Sequence, residues 1–293
     1  MKEKVYQARA LYQSIVNQIY QHRSGLYAIE EARYMALMLM EHYLHQQRTD
    51  ILLDRQLQMD NHQEKKLEVA VKRICNDEPI QYVIGETFFY GRSLYVSPAV
   101  LIPRRETEEL VDLIIKENKT PALNILDIGT GSGCIAVTLC KEMDTPKVHA
   151  LDVSQEALAV AKANAQRYQA NVQWLFEDIL NLSFSQENFD IIVSNPPYVK
   201  KSEAAEMKKN VLSYEPYEAL FVSDEDPLLF YRQIAQLCTM SDMLKKGGKV
   251  YLEINEAHGA EVVKLFKEQG FHDVRLRKDM QQKDRFVSAK LTF

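Results

Sequence analysis

The sequence predicts an α/β chain: a small helical region at the N-terminus, then a seven-strand sheet with helices on both faces. Three observations carry this. Helical periodicity dominates about the first 75 residues. From residue 124 onward, short apolar runs alternate with helical stretches, the pattern of a largely parallel sheet. The last two strand-like runs, "DVRLRK" and "RFVSAKL", lie too close together for a helical crossover, so the sheet is expected to end with an antiparallel strand.

In chain order, "VYQARALYQSIVNQIY" places Ala8, Leu11, Ile15 and Ile19 near a 3.6-residue period, and "ARYMALMLMEHYL" is a second apolar helical stretch. "LEVAVKRICNDEP" reads as a third helix ended by Pro79, and the polar stretch "RTDILLDRQLQMDNHQEKK" is expected to divide into short helices. "PIQYVIGETFFYGRSLYVSP" suggests a hairpin or extended linker with turns at Gly85 and Gly91. A helix follows in "RETEELVDLIIKEN", where Thr107, Glu109 and neighbouring acids suit its start. The expected strands are "NILDI", "KVHALDV", "VQWLF", "FDIIVSN", "KVYLEI" and the closing pair. Helices are expected in "SQEALAVAKANAQRY", "DPLLFYRQIAQLCTMSDML" and "GAEVVKLFKEQG". The domains are accordingly residues 1–78 (helical), 79–103 (hairpin linker) and 104–293 (catalytic sheet).

Composition narrows the function classes. The 293 residues are 46% hydrophobic and 26% charged, enough for a substantial core, and the formal net charge of -5 argues against non-specific nucleic-acid binding. Cys75, Cys134, Cys140 and Cys238 are widely spaced, which suits reduced thiols and no metal site. The N-terminus lacks a secretory pattern and no stretch has the length of a membrane span; a cytoplasmic protein is expected.

Two places carry chemistry. In "NILDIGTGSGCIAV" a strand runs through Asp127 into a turn, Gly129, Thr130, Gly131, Ser132 and Gly133, and then a helix. Glycines there permit a tight turn and close approach to a ligand. Asp152 closes the next strand, where an acid commonly accepts ribose hydroxyls, and Ser154 offers a separate cap for the following helix. A nucleoside-containing cofactor is implied; the glycines alone fit a dinucleotide or an S-adenosyl ligand. Asp178 and Ile179, after the third strand, suit an adenine ring, or equally a turn residue and a core residue.

The second place is "SNPPYV". Asn195 follows the fourth strand, Pro196 and Pro197 fix φ and supply no amide protons, and Tyr198 adds a flat wall. The corner presents two acceptors, the Asn195 side-chain oxygen and the Pro196 carbonyl. A planar NH2 group is a poor nucleophile; two acceptors on its N–H bonds would orient it and stabilise positive charge appearing on nitrogen.

With these motifs the chain resembles the bacterial protein-(glutamine-N5) methyltransferases of peptide chain release factors, within the class I S-adenosylmethionine-dependent methyltransferases. "NPPY" is shared with adenine amino-methyltransferases; "PIQYVIGETFFYG", "LIPRRETEELVD" and "YEPYEAL" are more specific. The resemblance implies a Rossmann-like methyltransferase sheet and S-adenosyl-L-methionine as cofactor, with S-adenosyl-L-homocysteine as product. It also implies class 1 release factors as substrates through the glutamine of a Gly-Gly-Gln motif. It places Gly129 through Gly133, Asp152, Asp178, Ile179 and Asn195 around the cofactor and Asn195, Pro196, Pro197 and Tyr198 around the glutamine. By the same resemblance, Asn195, Pro196 and Tyr198 are expected to carry the catalysis and residues 214–220 to lie near the substrate peptide. Arg105 stands where many relatives have proline and Asn255 where many have glycine, neither expected to touch the chemistry; "FVSDEDPLLFY" lacks a glycine often found there. Two rivals are adenine N6 methylation, which needs the same acceptor pair, and a non-catalytic binding protein, against which the intact glycines, Asp152 and Asn195 stand.

Overall fold

The computed structural model describes residues 4–22, 28–181, 188–240 and 243–292. The chain divides into two compact units, residues 1–85 with 208–214, and residues 86–207 with 215–293.

The first unit contains strand β1 (Lys4–Gln7), helices α1 (Ala8–His22), α2 (Ile29–Leu44) and α3 (Arg48–Leu52), strand β2 (Gln56–Met59), and helices α4 (Asn61–Cys75) and α5 (Ile80–Ile84). Its core is its own: Ile15, Ile19, Leu39, Met40, Val71 and Ile74 are buried together. Two expectations are corrected here. Residues 5–7 are strand rather than helix, because β1 pairs antiparallel with β2, Lys4 opposite Met59. The polar stretch 48–66 holds one short helix and then β2, whose Leu57 and Met59 are buried between exposed Gln56 and Gln58. That alternation is the two-residue period of a strand. Helix α4 begins at Asn61, earlier than its apolar residues indicate, because Asp60 accepts from the amides of His62 and Gln63 while Gln63 reaches back to the Asp60 amide.

The second unit opens with a hairpin, β3 (Glu86–Phe89) and β4 (Arg92–Tyr95), turned by Tyr90 and Gly91 with φ of 47° and 74°. The segment before it, expected to belong to the hairpin or an extended linker, is helix α5, stopped by Gly85 at φ 83°. Then follow α6 (Arg105–Glu117), β5 (Asn124–Ile128), α7 (Cys134–Glu142), β6 (Lys147–Asp152), α8 (Gln155–Tyr168), β7 (Val172–Phe176), β8 (Phe189–Ser194) and β9 (Val199–Lys200). Helix α9 (Lys209–Tyr214) belongs to the first unit, where the Tyr214 hydroxyl donates to the Asn76 carbonyl at 2.7 Å. The remainder is α10 (Tyr217–Leu220), β10 (Phe221–Val222), α11 (Leu229–Met240), β11 (Leu244–Glu253), α12 (Gly259–Glu268), β12 (Phe271–Lys278) and β13 (Asp284–Leu291). The helix expected over 226–244 is seen as α11; residues 241–242 lie outside the described residues.

The seven expected strands form one sheet in the order β12-β13-β11-β8-β5-β6-β7. Pairings from β11 through β7 are parallel, and β13 is antiparallel to both neighbours. The chain's last strand, β13, is antiparallel as expected; it sits one place in from the edge, between β11 and the outermost β12. Apolar cores lie on the two faces. Leu126, Ile192 and Leu252 point to the side of Tyr231, Ile234 and Phe266; Ile125, Ile191, Val193 and Tyr251 point to the side of Leu110, Ile114 and Leu139. Both faces being covered explains why the central strands read as continuous apolar runs. Among the described residues, no helix is long and apolar enough to cross a membrane.

Candidate active site

The carboxyl ends of β5, β6, β8 and β11 lie side by side: Ile128 is opposite Leu151 and Ser194, and Ser194 is opposite Leu252. Open α/β sheets bind ligands at this edge because the strands end there in loops with free backbone groups.

After β5 the chain turns through Gly129, Gly131 and Gly133 at φ 71°, 55° and 77°. The amides of Gly129 and Thr130 both donate to the Leu151 carbonyl at 3.0 Å, which holds the turn against β6. Gly133 cannot cap α7 with a side chain. Asp127 does so from inside the strand, its Oδ2 accepting from the Ala136 amide at 3.2 Å and the Thr130 hydroxyl at 2.6 Å. Asp127 is fully buried, and burial pushes its carboxyl up to about 7. Its Oδ1 has no hydrogen-bond partner among the described residues. The Ser132 side chain is buried, and its carbonyl accepts from Asn164 at 2.9 Å.

Asp152 meets this turn directly, Oδ2 accepting from the Gly131 amide at 2.8 Å and Oδ1 from the Ser154 amide at 2.9 Å. Ser154 caps α8 as expected, its hydroxyl accepting from Ala157 at 3.1 Å. Asp152 is nonetheless not left free: the amides of Gly131, Ser154 and Val153 donate to its carboxylate, whose two oxygens offer about four acceptor positions. Burial raises its carboxyl above the usual range.

At the third strand end, the Asp178 carboxylate is engaged locally, by the Leu180 amide at 2.9 Å and the Asn181 side chain at 2.6 Å. That is a turn. Ile179 is buried in the core with Ile128 and Leu151. The local bonds of Asp178 and the core packing of Ile179 are compatible with either of the readings the sequence left open.

The Asn195–Tyr198 corner leaves β8 with trans prolyl bonds, Pro196 buried and the other three half-buried. The Ser194 hydroxyl ties its root to β5, donating to the Ile128 carbonyl at 2.7 Å. Asn195 Nδ2 donates to Thr107 Oγ1 at 3.1 Å, and Thr107 donates to Glu253 Oε2 at 2.7 Å. The Tyr198 hydroxyl donates to Glu253 Oε1 at 3.1 Å. Burial lifts the Glu253 carboxyl; burial and that carboxylate lift the Tyr198 phenol. Asn195 Oδ1 is left without a partner among the described residues.

The sequence motifs nominate neither Thr107 nor Glu253 for the site. Thr107 lies in the first turn of α6, as expected, and also leads the buried stripe Thr107, Leu110, Val111, Ile114. A polar residue on an apolar stripe was the available signal. Glu253 carries the signal that marked Asp152, an acid closing a buried strand. Asn255 Nδ2 donates to the Tyr198 carbonyl and to Glu203, both at 3.2 Å, so it braces the backbone of the corner. Arg105 is exposed. In residues 214–220, Glu215 accepts from Arg104 at 2.7 and 2.8 Å and from the Ile102 amide at 3.2 Å, fastening the loop before α6.

A sheet of this order, with a glycine turn after its first strand and an Asn-Pro-Pro-Tyr corner after its fourth, is that of a class I S-adenosylmethionine-dependent methyltransferase. Residues 107–214 match the Methyltransferase small domain family and residues 21–85 the PrmC N-terminal domain family. The release factor glutamine methyltransferase of Bacteroides thetaiotaomicron is 44% identical over 92% of this chain and 97% of its own, and that of Flavobacterium psychrophilum 42% over 93% and 96%. The chain belongs to the release factor glutamine methyltransferase family. A methyltransferase crystal structure from Pyrococcus furiosus shares the fold, with a TM-score of 0.51 and 19% identity over 70% of this chain and 91% of that one.

The residues present suit the cofactor of this class. A Cβ built on Gly129 or Gly131 meets nothing within 4 Å, leaving room beside the turn, and the orphaned Asp127 Oδ1 offers a buried acceptor for a cationic group.

Proposed function

We propose that this chain methylates the side-chain amide nitrogen (N5) of the glutamine in the Gly-Gly-Gln motif of class 1 peptide chain release factors. S-adenosyl-L-methionine, when bound, supplies an electrophilic methyl group on sulfur and leaves as S-adenosyl-L-homocysteine. Gly129 through Gly133 and Asp152 hold it, the turn by its backbone and the acid by its remaining acceptor capacity. Asn195 Oδ1 and the Pro196 carbonyl accept the two N–H bonds of the glutamine amide, and Tyr198 packs on its plane. As the nitrogen attacks, the same acceptors stabilise the positive charge that develops there, and the surplus proton passes to solvent water after transfer.

One observation carries this assignment: among the described residues Asn195 Oδ1 has no hydrogen-bond partner, while its Nδ2 is pinned from behind by Thr107. An acceptor held ready without its own partner suits an NH2 donor. The same pair would suit adenine; the family of the chain and the net charge of -5 favour glutamine in a protein. The helical domain, residues 1–78, is read as the part that recognises the folded release factor, residues 79–103 as its linker, and the cytoplasm as the place of action, with no stable nucleic-acid partner.

Labelled S-adenosylmethionine offered with release factor, with release factor whose motif glutamine is replaced, and with DNA tests this. Label is expected only in the intact factor. Label in DNA alone, or undiminished label in the glutamine variant, overturns it.

A further inference from the structure

An asparagine amide presents oxygen or nitrogen with similar ease, so an acceptor role for Asn195 Oδ1 requires something that fixes which way the amide points. The structure contains such a device. Thr107 Oγ1 has one hydrogen and gives it to Glu253 Oε2 at 2.7 Å. Toward Asn195 it can then only accept, and it does so from Nδ2 at 3.1 Å. A flipped amide would set Oδ1 against an oxygen whose proton is already committed. Glu253 and Thr107 are 1% and 2% exposed and stand on different elements, β11 and α6, so the reference point is rigid and shielded from water. The other carboxylate oxygen, Oε1, takes the Tyr198 hydroxyl at 3.1 Å. One buried carboxylate thus directs two hydroxyls, one leading to each arm of the corner.

We propose that Glu253 and Thr107 are positioning residues for methyl transfer: the Glu253 carboxylate sets the Thr107 hydroxyl, and that hydroxyl sets the Asn195 amide with Oδ1 toward the substrate NH2. The proposal rests on the reading of Asn195 Oδ1 as an acceptor for the substrate. A bond that only fastened α6 to β11 would leave turnover per folded molecule unchanged. A directional relay makes the effect of Thr107 depend on Asn195.

The test is a double-mutant cycle in the full chain with purified release factor and saturating S-adenosylmethionine. Thr107→Val, Asn195→Ala and the double variant are measured for kcat, KM, cofactor Kd by calorimetry and Tm. Thr107→Val is expected to lower kcat about 10- to 100-fold with cofactor Kd within about threefold, a size in keeping with misplacing one group at a reacting centre. Thr107→Ser, which keeps the hydroxyl, is expected to recover most of that loss. In the Asn195→Ala background, Thr107→Val should lower kcat by less than about threefold, because the group it orients is gone. Additive losses, no loss from Thr107→Val, or no recovery with Ser overturns the relay. If Asn195→Ala itself keeps full kcat, the acceptor reading fails instead. Should Thr107→Val not fold, Glu253→Gln crossed with Asn195→Ala is read in the same way.

Discussion

Asn164, wholly buried on α8, donates to the Ser132 carbonyl at 2.9 Å and exchanges two further hydrogen bonds with the Tyr95 backbone, at 2.6 and 3.0 Å. One amide thereby joins the glycine turn to the end of the β3–β4 hairpin, with both donor hydrogens and one acceptor position used. Asn164→Ala leaves three backbone groups without this partner and should cost roughly 2–4 kcal/mol. Chemical denaturation would show it, and cofactor affinity should fall with it because Ser132 is released. A variant as stable as the parent would show that the hairpin end does not depend on this anchor.

Gly133 and Gly131 both lie at positive φ but differ in surroundings. A Cβ on Gly133 would sit 3.0 Å from the Cβ of Ala161 and 3.2 Å from its Cα, whereas one on Gly131 meets nothing within 4 Å. Left-handed backbone alone costs a non-glycine residue about 1–2 kcal/mol. Gly133→Ala adds a clash between α7 and α8 and should lower Tm clearly more than Gly131→Ala. Equal shifts would mean that backbone conformation, not helix packing, sets the requirement.

Burial lifts the Asp127 carboxyl from 3.8 to about 7, against the pull of the Thr130 hydroxyl and the Ala136 amide and with the nearby Asp152 adding to the rise. The folded chain therefore holds a proton that the unfolded chain releases. The associated stability, at most roughly 4 kcal/mol, is fully present below about pH 4 and lost as pH rises to about 7. Asp152 and Glu253, raised by burial, act in the same direction; depressed carboxylates such as Asp226 act at lower pH. Ligand-free protein should melt lower as pH rises through this window, and Asp127→Asn should flatten the slope. An unchanged slope in that variant would assign the effect elsewhere.

Asn195→Ala should reduce kcat about 100- to 1000-fold, the loss typical when one preorganised hydrogen-bonding group at a developing charge is removed. Cofactor Kd, measured by calorimetry, should stay within about threefold, since Gly131 and Asp152 hold their positions without it. Equal, large losses in both quantities would move Asn195 from the substrate side to the cofactor side.

Much of the sheet was legible because a strand covered on both faces reads as an apolar run, and three central runs here close on a polar residue: β6 at Asp152, β8 before Asn195 and β11 at Glu253. The glycine turn and the proline-braced corner were legible for a related reason, since backbone conformation at glycine and proline is a property of the residue itself. Periodicity reports the faces of one element; it does not say which element will lie against them. The β1–β2 ribbon, the return of β13 between β11 and β12, and the local engagement of Asp178 followed from pairing and packing. So did the direction of the Asn195 amide, set by Thr107 and Glu253, which are 88 and 55 residues from the corner residues they bond and 146 from each other. The sequence by itself determined that an Asn-Pro-Pro-Tyr corner would stand at the carboxyl edge of the sheet. Only the tertiary structure decided which way its acceptor faces, because a hydrogen bond takes its direction from partners that folding alone brings together.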